Sequence, residues 1–265
     1  MKTTKRIFIS IFCTLTIGAS AQENSIRFDL APGISNFHVV DRLNNPMIFR
    51  GTGMSPLFRV SRNTPGNRQF INIKMGRAIL RNGVDNYKTK NFWVSVKIGA
   101  EFAVLGQNNG SNQNYLMLGG SISTFYSKTH FFFKCPTFWG SAVKTWYWRH
   151  SFDFTLSGKI KLPGKQSIAF RMGVPVVCNI SRPTFSSSGD FDIQLNTRKI
   201  KTFGNMAFIG KNFSIETSVA YYRPISQNIE FFAEYEFSFN RYKNPDKISM
   251  YMNNQNIGIT YKLKK

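Results

Sequence analysis

Three histidines, His38, His130 and His150, are the side chains of this sequence whose ordinary titration range lies near neutrality, and acyl transfer or hydrolysis is the chemistry they would support. Such a centre needs a nucleophile and an orienting group within hydrogen-bond reach of the imidazole. His150 directly precedes Ser151 and lies three residues before Asp153. On an extended strand both odd offsets point to the opposite face, so neither residue can meet His150. No G-x-S-x-G elbow, phosphate-cradling glycine loop or metal-spaced His/Cys set accompanies them. The chain is therefore expected not to be an enzyme, with no catalytic, cofactor-binding or metal-ligating residues. The remaining reactive side chains are cysteines. Cys135 and Cys178 fit no zinc or redox spacing and are read either as a disulfide or as two separate thiols.

The informative ionisable residues are those that recur at every second position. Lys97 and Glu101, Arg149 and Asp153, then Arg171, Glu216, Glu230, Glu234 and Glu236 share a parity with Lys74, Lys159 and Lys161, opposite to their apolar neighbours. Along Asn91 to Leu105, Phe92, Val94, Val96, Ile98, Ala100, Phe102 and Val104 hold one face, while Trp93, Ser95, Lys97, Gly99 and Glu101 hold the other. Trp146 to Leu162 repeats the pattern. Pro163-Gly164-Lys165 turns the chain, and Ile168, Phe170, Met172 and Val174 resume it. Near the C-terminus Ile229, Phe231, Ala233, Tyr235, Phe237 and Phe239 alternate with Glu230, Phe232, Glu234, Glu236, Ser238 and Asn240. Period-two alternation is the signature of strands with two chemically different faces. No stretch of comparable length has helical spacing. Segments near 25–33, 51–62, 68–80, 91–105, 114–126, 143–162, 165–178, 190–196, 199–209, 212–222, 229–242 and 248–263 give about twelve strands, with ten as the alternative count; the short segments between 190 and 209 can merge.

At the N-terminus Lys2, Lys5 and Arg6 precede an apolar run from Ile7 to Ile17 and the small residues Ala19-Ser20-Ala21. That is the layout of a signal peptide over residues 1–21, leaving one mature domain over 22–265. The 35 Lys+Arg against 13 Asp+Glu belong mostly to the mature chain. Such basicity first suggests nucleic acid. No basic helix, zinc-finger spacing or RNA-binding aromatic motif supports it, and export removes the usual target, so no nucleic-acid partner is expected.

Alternation alone fits a soluble sandwich as well as a membrane barrel; strand length separates them. Runs of fifteen to twenty residues exceed the roughly five or six of a globular strand and suffice for a tilted strand crossing a bilayer. Small and charged residues suit the inside of a closed barrel, and continuous apolar residues suit lipid. Closure also pairs every backbone group that lipid cannot satisfy. Aromatic residues near strand ends, Tyr126, Trp146, Trp148, Tyr221 and Tyr261, match the interfacial girdles of such barrels. An even strand count puts both termini at one end, with short turns at 63–67, 106–113, Pro163–Lys165, around Thr197-Arg198 and at Pro224–Asn228. Longer loops at 34–50, 81–90, 127–142 and 179–189 fall at the other. Surplus cations at strand ends and in connections can meet lipopolysaccharide phosphates if that end lies outside.

On these features the sequence resembles the bacterial outer-membrane β-barrel proteins. The ending Ile257-Gly258-Ile259-Thr260-Tyr261-Lys262-Leu263 is similar to the family's terminal assembly signal, with Tyr261 and Leu263 as its apolar members, although two lysines follow. The resemblance implies an antiparallel transmembrane barrel in the cell outer membrane, surrounded by outer-membrane lipids and lipopolysaccharide and read by the barrel-assembly machinery. Its function is expected to be passive transport of small solutes. The alternative is a closed structural or binding barrel acting through loops such as Phe131-Phe132-Phe133-Lys134 and Phe138-Trp139. Lumen charges near balance fit either a plug of ion pairs or a narrow wet path.

Overall fold

The computed structural model describes residues 25–42, 45–64, 66–82, 88–106, 114–132, 142–182, 203–244 and 247–264. The strands in chain order are β1 (Ser25–Ala31), β2 (Gly33–Asp41), β3 (Asn45–Met54), β4 (Leu57–Asn63), β5 (Asn67–Asn82), β6 (Lys88–Leu105), β7 (Tyr115–Phe132), β8 (Ala142–Lys161), β9 (Ser167–Ser181), β10 (Asn205–Phe208), β11 (Asn212–Pro224), β12 (Ile229–Tyr242) and β13 (Ile248–Lys264). All strand pairings among the described residues are antiparallel, and β13 closes onto both β1 and β2. The sheet is a closed barrel.

Thirteen strands make ten staves, because three staves are interrupted. Leu30 faces Ile259 and Gly33 faces Asn256 in one unbroken register, so β1 and β2 are a single stave broken at Pro32. Likewise β3 and β4 are one stave broken at Ser55-Pro56, since Ala31 faces Leu57 and Ile34 faces Met54. Proline has no N–H for the ladder, so each break falls where a donor is missing. The acceptors are kept: Ile257 N donates to Pro32 O at 3.3 Å and Met75 N to Pro56 O at 3.4 Å. The third broken stave is β10 and β11, which occupy successive lengths of the same edge of β9. A turn closed by Lys211 N donating to Phe208 O separates them.

Twelve staves are thus replaced by ten. The expected loop at 34–50 is instead β2 and the first half of β3, whose alternation is obscured by the outward polar residues Asn36, His38 and Arg50 and by apolar neighbours on both faces such as Val39 and Val40. The expected strand at 199–209 shrinks to β10. The segment 190–196, the turn at Thr197-Arg198, the signal peptide over 1–21, Phe133-Lys134, Cys135 and Phe138-Trp139 lie outside the described residues, as do the side chains of Phe131 and Phe132.

Ser25 pairs with Lys264, so both described ends of the chain meet at one end of the barrel, together with the turns at 64–66, 106–114, 162–166 and 225–228. Gly164 takes a positive φ of 74° in the tight β8–β9 turn, which glycine adopts without steric cost. The opposite, loop end carries the connections around 42–44, 83–87, 133–141, 182–204 and 243–247. One irregularity re-aims a strand. Phe152 faces Val177 while Asp153 faces Pro175, so Val176 is a bulge residue beside a proline that cannot donate. Beyond it, Cys178 and Ile180 point inward where unbroken alternation would have turned Val177 and Asn179 in.

Candidate functional site

Inward parity puts the charged residues into the bore. All eight acidic residues among those described, Asp29, Asp41, Glu101, Asp153, Glu216, Glu230, Glu234 and Glu236, project inside and are paired there. The three glutamates of β12, which would repel one another along one face, are each answered from other staves. Arg27 lies 3.0 Å from Glu230, which Lys262 also contacts. Arg59 forks onto both oxygens of Glu234 at 2.9 and 2.8 Å and reaches Asp29 at 3.2 Å. Lys74 pairs with Glu236.

Of the expected lumen residues, the structure brings together Lys97, Arg149, Asp153 and Glu216. Lys97 Nζ sits 2.6 Å from Glu216 and 3.3 Å from Asp153, and Arg149 sits 3.2 Å from Glu216. The pairs suggested by spacing along one strand, Lys97 with Glu101 and Arg149 with Asp153, do not form. Glu101 takes Arg68 and, at 3.6 Å, Arg171. In a narrow bore the opposite wall is as near as the next inward residue on the same strand, and guanidinium geometry favours the approach across it. Arg27, Asp29, Asp41, Arg59, Arg68, Arg182 and Lys262 also line the bore and lay outside the sequence-based set. Their inward parity was the available signal, but it sits in strands whose alternation is short or interrupted.

Toward the loop end the bore is apolar. Phe37, Phe49, Leu80, Trp93, Phe125, Tyr147, Ile180, Ala207, Tyr242 and Met250 belong to one contiguous buried cluster, and they come from ten different staves. Trp93, Phe125 and Tyr147 run in sequence across it, with ring centroids 6.4 and 6.3 Å apart. Above this layer Arg182 Nη2 donates to Asp41 Oδ1 at 2.6 Å, joining β9 to a distant wall of the mouth. A smaller apolar group, Ala31, Leu57, Ala220, Tyr222 and Phe232, lies toward the terminal end. Two cavities between the layers have volumes of about 30 and 20 Å³. Each is room for one or two waters.

His150 faces outward, stacked on Phe203 and tilted against Trp148, while Ser151 faces inward and donates to Asp153 at 2.6 Å. The opposite-face argument therefore holds. Cys178 is a buried free thiol that accepts a hydrogen bond from Asn212. Tyr126 and Trp148 meet edge to face on the outer surface, and Tyr221 donates to Gln166 near the terminal end. Tyr261 and Leu263 lie outward on β13, exposed beside the closing strand β1.

No family model matches this chain, and no curated protein matches it. Among solved structures it is similar to the outer membrane protease OmpT from Escherichia coli, at 8% identity and a TM-score of 0.56, over 94% of this chain and 100% of that one. The translocator domain of the autotransporter NalP from Neisseria meningitidis aligns at 10% identity and a TM-score of 0.46, over 98% and 95%. Ail of Yersinia pestis aligns at 12% identity and a TM-score of 0.36, over 91% and 99%. The chain has the fold of the bacterial outer-membrane β-barrels, with its subfamily unresolved.

Proposed function

We propose that this β-barrel is a closed, non-enzymatic component of the outer membrane that works through its surface and loop end, and that its bore does not conduct. The observation that carries this reading is the apolar cluster with a residue from every stave. A hydrophobic constriction expels water even where it is not sterically sealed, and here its members pack on one another. Beneath it the cations and anions that a pore would present to water are spent on each other across the lumen. The exposed apolar side chains Phe102, Ile122, Phe152, Phe154, Val219 and Ile257 form outward cover that water would not favour and lipid would. The alternative function, passive passage of small solutes, requires a continuous wet path through both layers.

The test is heat-modifiable gel migration of the outer-membrane fraction, followed by planar-bilayer recording of the folded species. The expected result is a folded, heat-sensitive membrane band without conductance. Steady single-channel current from the unchanged protein would overturn the closed-bore reading in favour of a channel, and recovery in the soluble fraction would overturn the membrane reading.

A further inference from the structure

The outward surface has a charge asymmetry that the bore does not need. The described acids all point inside, so every ionised side chain presented outward by the described strands is a cation. These cations are concentrated on β3, β5, β6 and β7 at the loop end. Arg50 faces Arg81, and Arg81 faces Lys88, as in-register partners on three successive staves. Two outward positions nearer the terminal end, Arg77 and Lys128 flank Phe92 in the same way. Lys90 stands between the two rows. Directly opposed like charges destabilise a sheet unless something answers them. No acid among the described residues pairs with any of these six. Further round the barrel, β10 and β11 present Phe208 and Phe213 outward at the same end instead.

The cations end where the apolar belt begins. Below Arg77 and Lys128, the outward residues Ile73, Met75, Val94, Val96 and Ile122 face the hydrocarbon in the membrane reading. We propose that this face is a binding surface for phosphate groups carried on the lipids of the surrounding leaflet, with the guanidinium and ammonium groups holding the phosphates and the belt below them holding the acyl chains. Arginine and lysine form short, charge-assisted hydrogen bonds to phosphate oxygens, and a phosphate between Arg50, Arg81 and Lys88 relieves their mutual repulsion. A lipid is favoured over a free anion because the cations line a continuous apolar surface and do not enclose a pocket.

The inference rests on the membrane reading above, and its test separates the two. The full chain, folded and checked by heat-modifiable migration, is mixed with bisphosphorylated lipid A in detergent, and retained lipid is counted by native mass spectrometry at near-physiological salt. R50Q/R81Q/K88Q is expected to lower retention by about tenfold or more, each cation near an anionic lipid surface contributing appreciably. K165Q/K211Q/R223Q, which removes exposed cations elsewhere, is expected to leave it within about twofold, the small effect usual for a site away from the contact. Fully dephosphorylated lipid A with the same chains should bind the unchanged protein as weakly as the phosphorylated lipid binds R50Q/R81Q/K88Q. Equal retention of the two lipids, no loss in R50Q/R81Q/K88Q, or displacement by inorganic phosphate would each overturn the proposal. Should that variant not fold, retention by the unchanged protein must fall steeply as salt is raised from about 50 to about 500 mM, because contacts at an exposed face are screened; salt-independent retention would overturn it too. A chain lacking the folded membrane band fails the membrane reading itself.

Discussion

Arg59 shows what a single residue contributes inside the bore. Its guanidinium is held by both oxygens of Glu234 and by Asp29, and all three side chains are nearly excluded from solvent. Deleting one partner of such a pair strands the other, which typically costs about 3 to 5 kcal/mol, whereas replacing both by apolar groups can be almost neutral. Glu234→Ala is therefore expected to lower barrel stability by about 3 kcal/mol, read as a shift of the urea midpoint in Trp fluorescence. Arg59→Leu with Glu234→Leu should recover most of the loss; a double variant as unstable as the sum of the singles would contradict the pairing. A different balance governs Lys247 in the exposed β12–β13 connection. Arg241, Arg42 and Lys243 lower its pKa by repulsion. A base whose folded pKa is depressed loses stability where it is charged in both states, and recovers it as pH rises through the folded pKa toward the ordinary lysine value. Lys247→Gln should thus raise the thermal midpoint slightly at neutral pH and low salt, with the gain fading at high salt and at strongly alkaline pH. The inward parity of Lys97, Glu101, Arg149, Asp153, Arg171, Glu216 and the β12 glutamates was legible in the sequence. Their partners were not, because spacing along one strand says nothing about which wall lies across a bore.

At the scale of elements, β3 shows how closely neighbouring staves approach. A side chain at Gly53 would place its Cβ 1.7 Å from Arg77 O, and one at Gly51 would place it 2.0 Å from Ile79 O. Both contacts are with backbone of the paired strand β5, which cannot turn aside as a flexible side chain would. Gly53→Val is expected to break the β3–β5 pairing and abolish the folded, heat-modifiable band, since overpacking that moves backbone exceeds the usual cost of about 1 to 3 kcal/mol. Gly66→Ala, in a turn where an added Cβ meets nothing within 4 Å, should fold as the unchanged chain does. An intact band from Gly53→Val would show that β3 and β5 are not so closely paired. The sequence expectation went wrong just before these glycines, over 34–50. Asn36, His38 and Arg50 fill outward positions there with polar groups, while Val39-Val40 and Ile48-Phe49 put apolar residues on both faces. The period-two signal vanishes although β2 and β3 pair in register and Thr52 donates to Asn36 across the strands. Long strands with an uninterrupted apolar face, such as β6 and β8, were legible for the opposite reason.

For the whole molecule, the closed all-β architecture and the meeting of its two described ends at one end of the barrel followed from strand length, parity and the inability of lipid to satisfy an open edge. The apolar layer did not. Trp93, Phe125 and Tyr147 stand between polar inward residues on their own strands, and they become a layer only once ten staves are placed around one axis. The bore therefore holds two barriers in series, made by different physics: an apolar layer that excludes water, and beneath it cross-lumen ion pairs that fill the polar section. A series arrangement makes a specific demand on conductance. Trp93→Ala with Phe125→Ala removes bulk from the apolar layer but leaves Lys74 locked to Glu236 and Lys97 to Glu216 and Asp153. Lys74→Ser with Glu236→Ser loosens the ionic section but leaves the layer above it dry. Each double variant should remain silent in planar bilayers, while the quadruple variant should pass steady current, because only then is one wet path continuous. Current from either double variant would mean that its layer alone closes the bore, and silence from a folded quadruple variant would place the decisive constriction in what both changes leave intact: the mouth, where Arg182 meets Asp41, or the smaller apolar group of Tyr222 and Phe232 toward the terminal end.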